Sequence, residues 1–289
     1  MRELPQASQL GELPLGELWR LRERVQFIRE NVETVHLQED FTHVQDGEAL
    51  WTAFEALEPC IDRALVNVAG ALAMAMRSGE LTPMAFRALW ARLGWTAHPE
   101  SGGTAADDFL EGAFHVARLT LGERRPELGM PNMSSRARQL DDFLSSTRPG
   151  ANDVVYDLGS GNGKAALTFA ASTSARVFGV ELGESYVTAA RSTAALFGLC
   201  NVNFVQADVR AVDLSGGSIF YLYYPFHGHV ARDVATALGK LACVKPVTIF
   251  AAGPKNEFGE HFLAQVEGGA LRLAGRYGDS GEALLLKSA

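Results

Sequence analysis

The chain has 289 residues, 47% hydrophobic and 21% charged, with a formal net charge of −8 at neutral pH. That length suits one large domain or two modest ones, and the mixture is that of a globular protein able to bury a sizeable core. No apolar run approaches the ~20 residues of a membrane span, and the start, MRELPQASQLGELPLGEL, has no basic end leading into an apolar stretch, so neither a span nor a signal peptide is expected. Cys60, Cys200 and Cys243 are an odd number, widely spaced and without a ligand pattern. They disfavour a zinc site or a disulfide framework and point to reducing, cytoplasmic surroundings. The charge is uneven: residues 1–150 carry 15 Lys and Arg against 22 Asp and Glu, a net −7, and residues 151–289 carry 11 against 12, a net −1. An acidic half repels phosphate backbones, which argues against a nucleic-acid partner and suits a basic protein, or nothing beyond a solvated helical surface.

In chain order, the first half reads as helix. Residues 13–37 place Leu18, Leu21, Val25, Ile28 and Val32 at three- and four-residue steps, one buried face. Residues 48–76 continue as helix, with a break expected near Pro59 and an apolar second part expected in the core. A third helix over 82–94 opens on Thr82 with Pro83 next and closes on Gly94. The polar stretch HPESGGTAA is a loop, 104–122 a fourth helix, and 134–146 an amphipathic fifth, ended by Pro149 and Gly150. Trp51, Phe54, Met74, Met76, Phe86 and Trp90 sit at helical spacings and are expected in the core. Strands and helices alternate beyond residue 150: VVYDLG, KAALTFAAS, RVFGVEL, SYVTAARSTAALFG, NVNFVQAD, GSIFYLYYP, ARDVATALGKLA and VTIFAAG. Such alternation predicts a parallel sheet covered on both faces. Two last strands around GDSG predict a closing antiparallel hairpin.

The stretch VVYDLGSGNGK (154–164) puts three glycines at alternate positions at the end of the first strand. In a parallel sheet, ligands bind beyond the carboxyl ends of the strands. Glycines there let the chain turn tightly and let a ligand touch main-chain N–H groups at a helix start. Glu181 closes the second strand, where an acid commonly takes the ribose hydroxyls of a nucleoside. Asp208 follows the third, where an acid can accept from an adenine amine. A dinucleotide enzyme would carry G-x-G-x-x-G; here the third glycine, Gly163, comes one residue early and Lys164 stands in its place.

DLGSGNG, GVEL, QAD and the terminal hairpin, in that order, resemble the class I S-adenosylmethionine-dependent methyltransferases, over roughly 130–289. The resemblance implies a Rossmann-like α/β sheet with an antiparallel last strand pair, preceded by an all-α N-terminal domain. It divides the chain into a helical domain, 1–128, and a methyltransferase domain, 129–289. It implies S-adenosyl-L-methionine as cofactor, held by Asp157, Gly159, Ser160, Gly161, Gly163, Glu181, Leu182, Asp208 and Val209. More narrowly, residues 154–182 look like the non-SET lysine methyltransferases of the disruptor-of-telomeric-silencing type. There a short loop before the fifth helix touches the cofactor, and GMPNMSS (129–135) occupies that place. Where those enzymes carry Asn-Asn-Phe, this chain has Tyr223-Tyr224-Pro225-Phe226, followed by His227-Gly228-His229. Tyr223, Tyr224, Pro225, Phe226 and His227 are the expected acceptor-binding residues, with Tyr223 and Tyr224 nearest the chemistry.

Methyl transfer needs no nucleophilic side chain, only alignment and exclusion of water. An aromatic channel would also keep an amine acceptor neutral by desolvation, and tyrosine faces favour a sulfonium. Alternatively, Phe220, Leu222 and Tyr224 are sheet core. His227 and His229 read as plain loop residues, with a proton-accepting role as the alternative and no metal expected. Lys164 reads as a solvated helix residue. The acceptor is left between a protein lysine and a small molecule, with a non-catalytic cofactor-binding protein as a further reading. The helical half is expected over the strand ends, walling the acceptor pocket, or else as a cap or dimer surface on the far side.

Overall fold

The computed structural model describes residues 10, 12–36, 47–99, 103–114, 134–253, 257–278 and 281–289, with the backbone alone at 27–36, 47–55 and 257. The helical half comprises α1 (Leu15–His36), α2 (Gly47–Ser78), α3 (Pro83–Ala91) and α4 (Ala105–Phe114). Then come α5 (Ala137–Thr147), β1 (Val154–Leu158), α6 (Lys164–Ser172), β2 (Arg176–Glu181), α7 (Glu184–Phe197), β3 (Val202–Gln206) and β4 (Ile219–Tyr223). The chain continues through α8 (Gly228–Ala242), β5 (Thr248–Ala252), α9 (Glu257–Glu267), β6 (Leu271–Tyr277) and β7 (Ala283–Ser288).

The sheet runs β3-β2-β1-β4-β5-β7-β6. β1 through β5 pair in parallel, and β7 is antiparallel to both β5 and β6. The expected α/β sheet with its antiparallel last pair is therefore present. Strand order reverses between β1 and β4, so the crevice beyond their carboxyl ends is a topological switch point. Both faces are buried, which is why β4 reads as an unbroken apolar run and β1 as one broken only by Asp157. One face, with Val155, Tyr221 and Phe250, packs under α5, α6 and α7. The opposite face, with Tyr156, Phe220, Leu222 and Ile249, packs under α8 and α9.

The helical half does not keep a core to itself. Leu15, Leu18, Trp19, Ile61 and Leu65 form a small cluster among α1, α2 and α4. Phe86, Trp90, Leu110 and Phe114 join Leu140, Phe143, Phe169, Phe197 and Tyr221 in one continuous core with the sheet. Phe114 sits edge-on to Phe197 at 5.2 Å, and Phe143 edge-on to Tyr221 at the same separation. Arg87 of α3 donates to Asp141 and Ser145 of α5. Arg77 of α2 donates to the Leu196 carbonyl at the end of α7. All nine residues of α6 are buried, because the sheet lies beneath it and α3, α4 and α5 pack against it.

Several expectations need correction. No break occurs at Pro59; α2 runs through it for 32 residues. The ~3 kcal/mol cost of an interior proline is offset by burying Ile61 and Leu65 against α1 and α4. One stretch, Ala56–Ser78 of α2, is long and apolar enough to cross a membrane by length and composition, although none was expected. Its Ile61, Leu65, Ala69 and Ala73 are packed inside the protein. Met74 is 63% exposed rather than core, whereas Phe86 and Trp90 are fully buried. α9, with Phe258 and Phe262 one turn apart and buried, was not expected. The fourth expected helix is described only to Phe114; 115–122, the polar loop at 100–102, residues 129–133 and the Trp51 and Phe54 side chains lie outside the described residues.

Candidate active site

The glycine loop leaves the carboxyl end of β1. Gly159, Gly161 and Gly163 all have positive φ, at 83°, 53° and 89°, a region that costs a side-chain-bearing residue and not glycine. Two of them have a further reason to be there. A Cβ on Gly159 would overlap Pro225, and one on Gly163 would come within 2.8 Å of Ala190 Cβ and the Phe204 ring. The Gly159 and Ser160 N–H groups both donate to the Val180 carbonyl at 2.9 Å, tying the loop to β2. Gly161 N–H donates to Glu181 Oε2 at 2.9 Å, and Leu182 and Gly183 N–H groups to Glu181 Oε1 at 2.8 Å. Glu181 thus stands against the glycine loop and orders its own turn.

Asp157 is 3% exposed and accepts from the Ala166 N–H in the first turn of α6. Burial, joined by the nearby Glu181 charge, pushes its carboxyl up to about 7 against the pull of that hydrogen bond. Ser160 is buried, and its hydroxyl has no hydrogen-bond partner among the described residues. It sits over Gly179, where a Cβ would meet Phe204 at 2.5 Å and Ser160 Oγ at 2.9 Å. Gly179 is therefore a residue the site depends on that sequence reasoning passed over; a lone glycine inside a strand was the available signal. Leu182 is 37% exposed and Val209 is buried. Asp208 caps the 3-10 turn Val209–Ala211 and takes a two-pronged contact from Arg210, whose guanidinium holds the carboxyl below its ordinary range.

The Tyr223–Phe226 loop abuts this cradle through Pro225, which lies over Gly159. Tyr223 is half-buried at the end of β4, opposite Ala252, on the α5–α6 face. Tyr224 turns the other way. It takes φ 42°, donates its N–H to the Ala252 carbonyl at 2.8 Å, and meets Phe258 edge-on at 5.6 Å. Gly253 makes room for it, since a Cβ there would come within 2.9 Å of Tyr224 Cβ. Phe226 is 4% exposed and packs with Phe258. His227, at the N-cap of α8, and His229 are both exposed. The loop therefore sets Pro225 against Gly159, leaves Tyr223 at the end of β4, and anchors itself through Tyr224 and Phe226. Tyr221 lies one residue pair below Tyr223, fully buried and beside Ser135, and burial raises its hydroxyl well above the ordinary range.

Lys164 is not solvated. Its side chain is 4% exposed, and Nζ donates to Glu111 Oε1 at 2.9 Å with Asp107 Oδ1 3.7 Å away. Burial pushes Asp107 up, but Lys164 and hydrogen bonds from Ala137 and Thr104 more than offset this, leaving it below its ordinary value. These partners were invisible from local spacing, because Glu111 lies 53 positions away.

Residues 155–244 match the family model described as a methyltransferase domain. No curated protein matches the chain. Among solved structures, the fold is similar to an RNA methyltransferase from Salinibacter ruber in complex with S-adenosyl-L-homocysteine, at 22% identity over 54% of this chain and 92% of that one, TM-score 0.42. It is also similar to a precorrin-6y C5,15-methyltransferase from Geobacter metallireducens, at 15% identity over 55% and 92%, TM-score 0.43. A third is a ribosomal protein L11 methylase from Lactobacillus delbrueckii, at 17% over 57% and 82%, TM-score 0.42. The family match over residues 155–244 and the sheet order are those of an S-adenosyl-L-methionine-dependent methyltransferase.

Proposed function

We propose that the protein transfers a methyl group from S-adenosyl-L-methionine to an amine held between Tyr223, Pro225 and the glycine loop, with a protein lysine as the acceptor. The cradle fits that cofactor. Three positive-φ glycines shape the turn after β1, and Glu181 and Asp208 present carboxylates at the ends of β2 and β3. The buried Ser160 hydroxyl awaits a partner. The cofactor would supply a sulfonium methyl group that the amine nitrogen takes in line, the C–S bond breaking to release S-adenosyl-L-homocysteine and the amine's proton passing to solvent.

The chain's own residues do the rest. Glu181 takes ribose hydroxyls while its other contacts hold Gly161 in place, and Asp208 accepts from the adenine amine. The loop glycines admit the cofactor to main-chain contact. Tyr223 lines the acceptor's approach and, with Pro225, keeps water from the reacting pair. A half-buried aromatic wall favours the neutral amine, the form with a lone pair to give.

The observation that carries this reading is the seat of Pro225 on Gly159, which sets the aromatic loop against the cofactor cradle. The lysine assignment is supported by the likeness of 154–182 to the non-SET lysine methyltransferases. It is also supported by the net −7 of residues 1–150, which suits a basic substrate. The inward packing of Tyr224 and Phe226 favours a second reading, a protein that binds the cofactor without turnover. Incubation with methyl-labelled cofactor and cell extract separates the two. Label in lysine of protein supports the proposal, label in small molecules moves the acceptor, and bound cofactor with no label transferred favours the second reading.

A further inference from the structure

Lys164 is the first residue of α6 and directly follows Gly163. A cation there faces the positive end of the helix dipole, and its burial is costly unless it is paired. Both compensating carboxylates, Asp107 and Glu111, come from α4 of the helical half. They are themselves fixed. Asp107 accepts from the Thr104 N–H and hydroxyl and from the Ala137 N–H at the start of α5, and Glu111 accepts from the Ser134 hydroxyl. The cluster therefore joins α4, the head of α5 and the head of α6.

An apolar side chain of similar length would fill this space without the desolvation penalty. What an ion pair adds is a defined position for the residue that bears it. Across the same turn, Asp157 holds the Ala166 N–H, so the head of α6 is clamped from the sheet as well. Gly163 has no slack between Ala190 and Phe204. A displacement of Lys164 is thus passed up the chain to Gly161, where the Glu181 contact is made.

We propose that Lys164 is a positioning residue. Through its ion pair with Glu111 and Asp107, α4 sets the conformation of the glycine loop and with it the affinity for S-adenosyl-L-methionine. The proposal rests on the cofactor reading above and gives the helical half a part in cofactor binding, separate from any part in acceptor choice.

The test uses the full chain as wild type, Lys164→Met, Lys164→Arg, Glu111→Gln and the Lys164→Met/Glu111→Gln pair. S-adenosyl-L-methionine binding is followed by calorimetry, and hydrogen exchange of the 159–163 amides is followed without cofactor. Loss of a charge-assisted contact is expected to weaken binding about tenfold in Lys164→Met and in Glu111→Gln, with the pair no worse than the poorer single variant. Lys164→Arg should bind close to wild type. The glycine-loop amides should exchange faster in both weak variants while those of β1 and β4 do not change. Glu111→Gln keeps side-chain shape and an acceptor oxygen, so it carries the test if Lys164→Met does not fold. Wild-type affinity with unchanged loop exchange in Glu111→Gln overturns the proposal, as does faster exchange spread evenly over the whole sheet. A wild-type protein that binds no cofactor overturns the cofactor reading and this proposal together, whereas good wild-type binding with indifferent variants overturns this proposal alone.

Discussion

At the scale of single residues, the acids of the site divide by what already holds them. The Asp157 carboxyl, pushed up to about 7 by burial and by Glu181, keeps its proton in the folded state at pH values where the unfolded chain has released it. Folded-state stabilisation from this group is therefore complete below about pH 4 and is lost as pH rises through 7, at up to about 1.4 kcal/mol per pH unit. Asp157→Asn should remove that decline, seen as a flatter melting temperature between pH 4.5 and 8; parallel curves for the two proteins would show the carboxyl ionised throughout. Glu181 and Asp208 should differ in consequence. Glu181→Ala would remove the proposed ribose contacts and release the Gly161 N–H, so cofactor binding should weaken about tenfold or more. Asp208 shares its charge with Arg210, so Asp208→Ala should cost less in the same calorimetric titration. Gly159→Ala places a Cβ against Pro225 at φ 83°, and binding should fall further than in either acid variant. Normal binding in Gly159→Ala would mean that the loop can yield where the structure shows contact. The glycines and acids were legible in the sequence because their chemistry is local. Lys164 was not, because its carboxylates lie in α4.

At the scale of elements, the reading of alternating strands and helices followed from apolar runs that both faces of a buried sheet require. Where it failed, tertiary packing had overridden a local signal. Pro59 reads as a stop, yet burial of Ile61 and Leu65 carries α2 past it. Met74 reads as core by spacing, yet the face of α2 turned toward α1, α4 and α7 is the one bearing Ile61, Leu65 and Ala73. The β4–α8 connection shows the same limit. YYPF reads as an acceptor lining, with Tyr224 as sheet core in the alternative, and Tyr224 and Phe226 do turn inward onto Phe258, a residue of the unforeseen α9. Gly253 is the neighbour that permits this turn. Gly253→Ala should crowd Tyr224 and lower the melting temperature with less effect on cofactor affinity than Gly159→Ala. An equal loss of affinity in the two variants would make the α9 side of the loop part of the cofactor cradle.

At the scale of the whole molecule, the boundary near residue 128 divides the sequence but not the core. Phe86, Trp90, Leu110 and Phe114 share their packing with Phe143, Phe169, Phe197 and Tyr221. Removal of residues 1–128 should therefore cost the sheet its fold. The truncated chain should be insoluble or molten by near-ultraviolet dichroism; a soluble, cooperatively melting product would show two independent cores. The shared core also has a consequence for synthesis. The ribosome delivers the helical half first, and its small cluster around Trp19, Ile61 and Leu65 can close at once. The face bearing Phe86, Trp90 and Phe114 cannot, since α6 and α7 have not yet been made. Until they emerge, the nascent chain carries a wet aromatic surface, the kind that a chaperone holds and that neighbouring polysomes can cross-link by aggregation. Slowing translation beyond residue 114 would lengthen that exposure, so the yield of folded protein depends on how quickly the sheet follows its own cover.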